Sequence, residues 1–179
     1  MKNTNDNFHF QSIYWHKLQQ LKFDIIYYSL HFNRCIFLIR IIKYILAGLT
    51  SLSFALLMGF SEIKGIVFSC GIIGIIMQVF IAISNIFPYE DRKNDLREMS
   101  NELDKLYNEM ENDWNQISNG EINLEDIKDI IKKYTCKQSE IQKNYLKNDL
   151  LPEKKRIINL ANKKVEEYFK NFIQEETYE

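Results

Sequence analysis

The chain has little of what catalytic and secreted proteins are built on. Its three cysteines, Cys35, Cys70 and Cys136, stand far apart, with no Cys-x-x-Cys pair and no Cys/His cluster, which supports neither a disulfide framework nor a zinc site. His9, His16 and His31 share no metal-ligand spacing. Five of the six glycines lie between Gly48 and Gly74 and the sixth is Gly120, so no Gly-rich loop is placed to cradle a phosphate. There is no Gly-x-Ser-x-Gly elbow and no His-Glu-x-x-His. Catalysis needs a base, nucleophile or metal held in a cleft. With no such arrangement, a non-enzymatic protein without cofactor, metal or catalytic residues is expected.

Charge of one sign is also scarce. The whole chain carries 23 Lys+Arg against 24 Asp+Glu, but from Pro88 onward there are 16 basic and 21 acidic residues, an acidic balance that argues against nucleic acid as a direct partner. A length of 179 residues leaves room for a hairpin and one modest further unit, not for a separate large enzyme domain.

What is abundant is apolar sequence. Two stretches, Ile36 to Phe60 and Ile66 to Phe87, are separated only by Ser61-Glu62-Ile63-Lys64-Gly65. The second has no charged residue over about 22 positions, beyond the roughly 18 that mark a membrane-spanning helix. The first carries Arg40 and Lys43 near its start, leaving Tyr44 to Phe60 uncharged, a run of roughly 25 Å as helix. That is slightly short of a hydrocarbon layer of about 30 Å, but both cations can snorkel to the headgroups. So short a connection permits only an antiparallel hairpin. A secretory signal peptide is not expected, because the first apolar stretch starts well into the chain and the second follows it directly.

Lys17, Lys22, Arg34, Arg40 and Lys43 precede or open the first stretch, and Arg92, Lys93 and Arg97 follow the second. The turn has only Lys64, beside Glu62. Since Lys and Arg are retained on the cytoplasmic side, both termini are expected in the cytoplasm and the turn outside. Almost nothing is then exposed externally, which argues against receptor or adhesin roles.

Before the hairpin, Tyr14, Leu18, Leu21, Ile25, Tyr28 and Phe32 recur every three or four residues and form one face of an amphipathic helix over Phe8 to Phe32. Two readings of this face stand open: Trp15, Tyr27 and Tyr28 sit at the headgroup level, or the face packs on cytosolic helices. After Pro88, a new helix is expected to start near Asp91 to Asp95, with Leu96, Met99, Leu103, Leu106, Met110, Trp114 and Ile117 as its apolar stripe. This stripe is a candidate face for oligomerisation. Asn119-Gly120 should stop the helix. Asn123 then caps another, with Leu124, Ile127, Ile131, Tyr134, Ile141 and Tyr145 inward and a weak stretch around Lys137 to Glu140. Pro152 suits the first turn of a last helix that uses Ile157, Ile158, Ala161, Val165, Phe169 and Phe172. Short connections predict an antiparallel bundle, closed by the N-terminal helix.

Within the hairpin, Ala47, Ser51, Ala55 and Gly59 fall at intervals of four, as do Cys70, Gly74, Gln78 and Ala82. Small residues at this spacing let helices approach closely in lipid. The two ridges either pack on each other within one chain or join neighbouring copies. Gln78, mid-span, either bonds across helices or lines a water-filled opening with Thr50, Ser51 or Ser53.

The expected organisation is therefore an all-α membrane protein: residues 1–34 an N-terminal amphipathic helix, 35–87 a transmembrane hairpin with spans at 36–60 and 66–87, and 88–179 a cytosolic helical bundle or coiled coil. The amphipathic helix, the hairpin from Cys35 to Phe87 with its tiny external turn, and the helical tail from Asp91 resemble the SLATT family, two-transmembrane effectors associated with SMODS and SLOG domains in bacterial defence. The resemblance rests on layout and transfers no functional residue. It implies an inner-membrane effector of anti-phage defence that oligomerises and perturbs the membrane or forms a pore on activation, answering a nucleotide second messenger or a defence-system partner protein. The competing expectation is a two-pass anchor or scaffold whose helical tail recruits a soluble partner. A third is a small subunit of a larger transporter.

Overall fold

A computed structural model gives the backbone of residues 3–60, 64–86, 89–146 and 151–176. Within these it describes the side chains of 9–52, 54, 65, 68–79, 81, 91–123, 125–146 and 151–171. The described residues form five helices and no strand: α1 (Asn3–Phe60), α2 (Lys64–Ile86), α3 (Tyr89–Ser118), α4 (Leu124–Leu146) and α5 (Lys155–Glu176).

The amphipathic segment and the first apolar stretch are one helix. α1 runs for 58 residues without a break, and its sequence contains no proline and no glycine before Gly48, hence nothing to end it between the two segments. α3 begins earlier than its apolar stripe implied. It starts at Tyr89, directly after Pro88, which places Asp91 in a first turn where an acidic residue suits the helix dipole. Its end is a Schellman turn: Gly120 takes φ +74°, its N–H donates to Ile117 O at 3.1 Å, and Glu121 N–H donates to Gln116 O at 3.0 Å. α4 opens with Ile127 N–H donating to Asn123 O at 3.1 Å, which puts Asn123 at the cap position as expected. α5 starts at Lys155, so Pro152 lies upstream of the first turn and not within it. The first bonds of α5 go to Lys154 O, from Ile157 at 2.8 Å and Ile158 at 3.1 Å.

The chain divides into two compact units, Met1–Phe32 with Asp95–Glu179, and Asn33–Asn94. The first is a four-helix bundle. The N-terminal part of α1 lies against α3, with Gln11 Nε2 donating to Ile117 O at 3.0 Å and Tyr14 Oη to Met110 O at 2.9 Å. Rising numbers on α1 thus meet falling numbers on α3, and the two are antiparallel. α4 reverses again: Tyr134 meets Asp113, Lys137 meets Glu109 and Tyr145 meets Glu102. α5 reaches both α1, through Trp15 and Phe169 with ring centroids 5.1 Å apart, and α3, through Tyr107 and Tyr168.

The open question about α1's apolar face is thereby answered: it packs inside the bundle. Tyr14 and Leu18 are fully buried, and Leu21, Ile25 and Tyr28 nearly so. Trp15 sits against Trp114 and Phe169, and Tyr27 packs on Phe23, Tyr28 and His31. The α3 stripe needs a matching correction. Leu96, Met99, Leu103, Leu106, Met110 and Ile117 are buried within this one chain, and Trp114 stacks on Tyr14, so the stripe is filled from within and is not left open for a second copy. The physical reason is that an antiparallel neighbour on a short connection reaches the stripe first. Ile127, Tyr134, Ala161 and Phe169 complete the core from α4 and α5.

Candidate functional site

The second unit, residues 33–94, has the opposite character. One helix among the described residues is long and apolar enough to cross a membrane: within His9–Leu52 of α1, a window of mean hydropathy 1.8 has no residue buried. In α2 the described apolar run is the shorter Phe68–Val79. Of the large apolar side chains that stand exposed among the described residues, all but Leu160 belong to this unit. They include Phe37, Tyr44, Leu52 and Phe54 on α1 and Phe68, Ile75 and Val79 on α2. Water would oppose such a surface, whereas a bilayer accommodates it.

Three described hydroxyls of this unit bond back to their own helices, a pattern that satisfies a hydroxyl on an apolar surface. Thr50 Oγ1 donates to Leu46 O at 2.9 Å and Ala47 O at 2.8 Å, Ser51 Oγ to Ala47 O at 2.9 Å, and Ser69 Oγ to Gly65 O at 3.0 Å. Thr50 and Ser51 are thus turned back onto their own helix. Gln78 itself is exposed.

Of the described ridge residues, Ala47, Ser51 and Gln78 are exposed, Gly74 is half-buried and Cys70 is buried, at 9% exposure. A Cβ added at Gly48, Gly71 or Gly74 would meet no atom within 4 Å. The side chains of Ala55, Ala82 and Ser53, and the surroundings of Gly59, lie outside the described residues.

The bundle contains two polar clusters that periodicity alone did not reveal. Asp24 Oδ2 accepts from Gln138 Nε2 at 2.7 Å and Gln142 Nε2 at 3.1 Å, and Gln142 also donates to Tyr28 Oη at 3.2 Å. Burial raises the Asp24 carboxyl above the usual range, while the two amides and Lys17 pull it back. Burial, followed by the neighbouring Asp24 charge, pushes the Tyr28 phenol up to about 12. Gln138 falls in the weak stretch of α4's apolar face, Lys137 to Glu140, and Gln142 lies just beyond it.

In the second cluster, Lys22 Nζ lies 4.2 Å from the ring centre of Tyr107 and 4.1 Å from that of Tyr168, a two-ring cation–π arrangement. Tyr107 Oη donates to Glu111 Oε1 at 3.3 Å, and Tyr168 Oη to the same oxygen at 3.4 Å. Burial lowers the Lys22 ammonium, against the pull of Asp104 and Glu111. Both clusters join helices of the bundle. Among the described residues, no group of His, Cys, Asp and Glu is arranged to hold a metal ion.

Comparison with protein-family models, with curated proteins and with solved structures finds no match for this chain.

Proposed function

We propose that the chain is a membrane-embedded effector of bacterial anti-phage defence, with residues 36–60 and 66–87 spanning the inner membrane and both termini in the cytoplasm. On activation its hairpins associate between copies and perturb the membrane or open a pore. The activating signal is a nucleotide second messenger or a partner protein of the same system. No catalysis, cofactor or metal enters this role. The observation that carries the reading is the contrast between the two units. The bundle closes on its own apolar faces, whereas residues 33–94 present large apolar side chains and uncovered glycines. In lipid, uncovered small residues are where helices of neighbouring copies gain packing contacts.

The test is membrane potential and dye uptake in bacteria expressing the full chain, beside a version with an unrelated two-pass hairpin and beside Gly74→Ile and Gln78→Leu. A Cβ at Gly74 would meet no atom within 4 Å, so the first atom of the new side chain is accommodated within the protomer. Depolarisation that is lost in the exchanged and substituted forms is expected. Unchanged depolarisation in both point variants would overturn the reading, and full function with an exchanged hairpin would establish the anchor or scaffold in its place.

A further inference from the structure

From Pro88 onward the chain is acidic, with 16 basic against 21 acidic residues, yet residues 154–164 hold Lys154, Lys155, Arg156, Lys163 and Lys164 and no carboxylate. Glu153 precedes this run and Glu166 follows it. Lys154 is half-buried and the other four are exposed, and none of the five is in an ion pair among the described residues. At 3.6 residues per turn, the four on α5 fall within an arc of about 180° that faces away from the buried Ala161 and Phe169. Phe169 packs on Trp15, while burial and then the Glu153 charge raise the Tyr27 phenol. α5 therefore runs antiparallel to α1 and starts level with Tyr27 to Phe32, the last turns of α1 within the bundle, after which α1 continues into the apolar stretch. Lys163 and Lys164 lie about 12 Å farther from that end.

We propose that Lys154, Lys155 and Arg156, at the end of the bundle from which α1 enters the apolar stretch, bind the phosphates of anionic phospholipids on the cytoplasmic surface. The proposal rests on the reading of residues 36–60 as a membrane span. A bilayer carries roughly 5–7 Å of headgroup on each side of its hydrocarbon, and Phe32 to Ile36 covers about 6 Å of helix. Long side chains at the start of α5 thus reach headgroup depth. The Arg156 guanidinium presents a planar fork suited to two phosphate oxygens, and the two ammoniums add point charges beside it. Even with Glu153 next to them, the three leave a net positive charge. A zwitterionic headgroup brings its own ammonium, which competes with them, whereas an anionic lipid brings none. Attraction to a charged leaflet decays over about 8 Å at physiological ionic strength, so Lys163 and Lys164 contribute little. That gradient separates a lipid surface from an acidic protein segment, which would lie along the whole face and use both groups together with the exposed Leu160 between them.

The experiment is native mass spectrometry of the purified full chain, released from vesicles containing equal phosphatidylglycerol and phosphatidylcholine, with retained lipids counted. The comparison is among the wild type, the triple variant Lys154→Gln/Lys155→Gln/Arg156→Gln, the double variant Lys163→Gln/Lys164→Gln, and the charge-conserving Lys155→Arg/Arg156→Lys. Each basic residue near an anionic surface is worth about fivefold, so the triple variant should lose more than about tenfold of the preference for phosphatidylglycerol. The double variant should lose about twofold at most, and the charge-conserving exchange should keep the preference. Equal preference in wild type and triple variant overturns the proposal, as does equal loss in the triple and double variants, which would spread the contact over the whole face. Displacement of the lipid by excess inorganic phosphate overturns it too, marking a site for free anions. A wild-type chain that inserts into vesicles without headgroup preference refutes this site alone and leaves an acidic protein segment as its occupant. A chain that does not insert refutes the spanning reading and this site together.

Discussion

The contact most exposed to a decisive test is the one that ties α1 to α4. Asp24 Oδ2 is the shared acceptor for Gln138 and Gln142 across more than a hundred residues of sequence. Replacing Asp24 by leucine leaves two half-buried amides without that acceptor, a cost of about 1–3 kcal/mol, or a fall in Tm of roughly 4–12 °C for a unit of this size. Asp24→Asn is different in kind. It keeps the shape and an accepting oxygen, and it removes a charge that burial opposes. Because the folded chain raises the Asp24 pKa, it binds this proton more readily than the unfolded chain does. The contribution of Asp24 is therefore most favourable below the ordinary carboxylate range of about 4 and is lost as pH rises through the raised value. At neutral pH, Asp24→Asn should melt no lower than wild type. Its advantage over wild type should grow as pH rises from about 4 through the raised value, because the carboxylate ionises there and the amide does not. The assay is built in: the chain's two tryptophans, Trp15 and Trp114, lie 5.0 Å apart between ring centres inside the bundle, so their fluorescence reports its melting in the full detergent-solubilised chain. Equal destabilisation by Asp24→Asn and Asp24→Leu, or a difference between Asp24→Asn and wild type that ignores pH, would refute the reasoning.

Two further substitutions are read by the same fluorescence melt. Tyr14→Phe removes the buried bond to Met110 O and should cost about 1 kcal/mol; no loss would mean that this bond does not fix α1 on α3. Gly120→Ala should cost about 1–2 kcal/mol, from backbone conformation alone since a Cβ there meets nothing within 4 Å, and Gly120→Asn should cost less.

Much of the bundle was legible because burial leaves a period. Tyr14, Leu18, Leu21, Leu103, Ile127 and Ala161 all stand where a spacing of three and four placed them, and all are buried. Gly120 was legible for a local reason, the left-handed turn that follows α3. What could not be read is what such a face meets. The α1 and α3 stripes each suit a headgroup layer, a second copy or a helix of the same chain, and only the folded arrangement shows that they fill one another's bundle. The polar contacts were hidden for a related reason. Asp24 with Gln142, and Lys22 with Tyr168, pair residues far apart in sequence, and no local pattern encodes such a pair. Residues 33–94 are the reverse case: their apolar content was plain, while the room for a Cβ at Gly71 and Gly74 appeared only with neighbours in place.

The central claim, a hairpin that crosses the membrane twice, is tested most directly by thiol labelling in spheroplasts. The background carries Cys35→Ser, Cys70→Ala and Cys136→Ser, and single cysteines are introduced as Ser12→Cys, Glu62→Cys or Gln116→Cys. A membrane-impermeant maleimide should label Glu62→Cys in intact spheroplasts and the other two only after the membrane is opened. Labelling of Ser12→Cys and Gln116→Cys from opposite sides would show a single crossing, and failure of Glu62→Cys to label from outside would place the turn within the cell; either result would contradict the account.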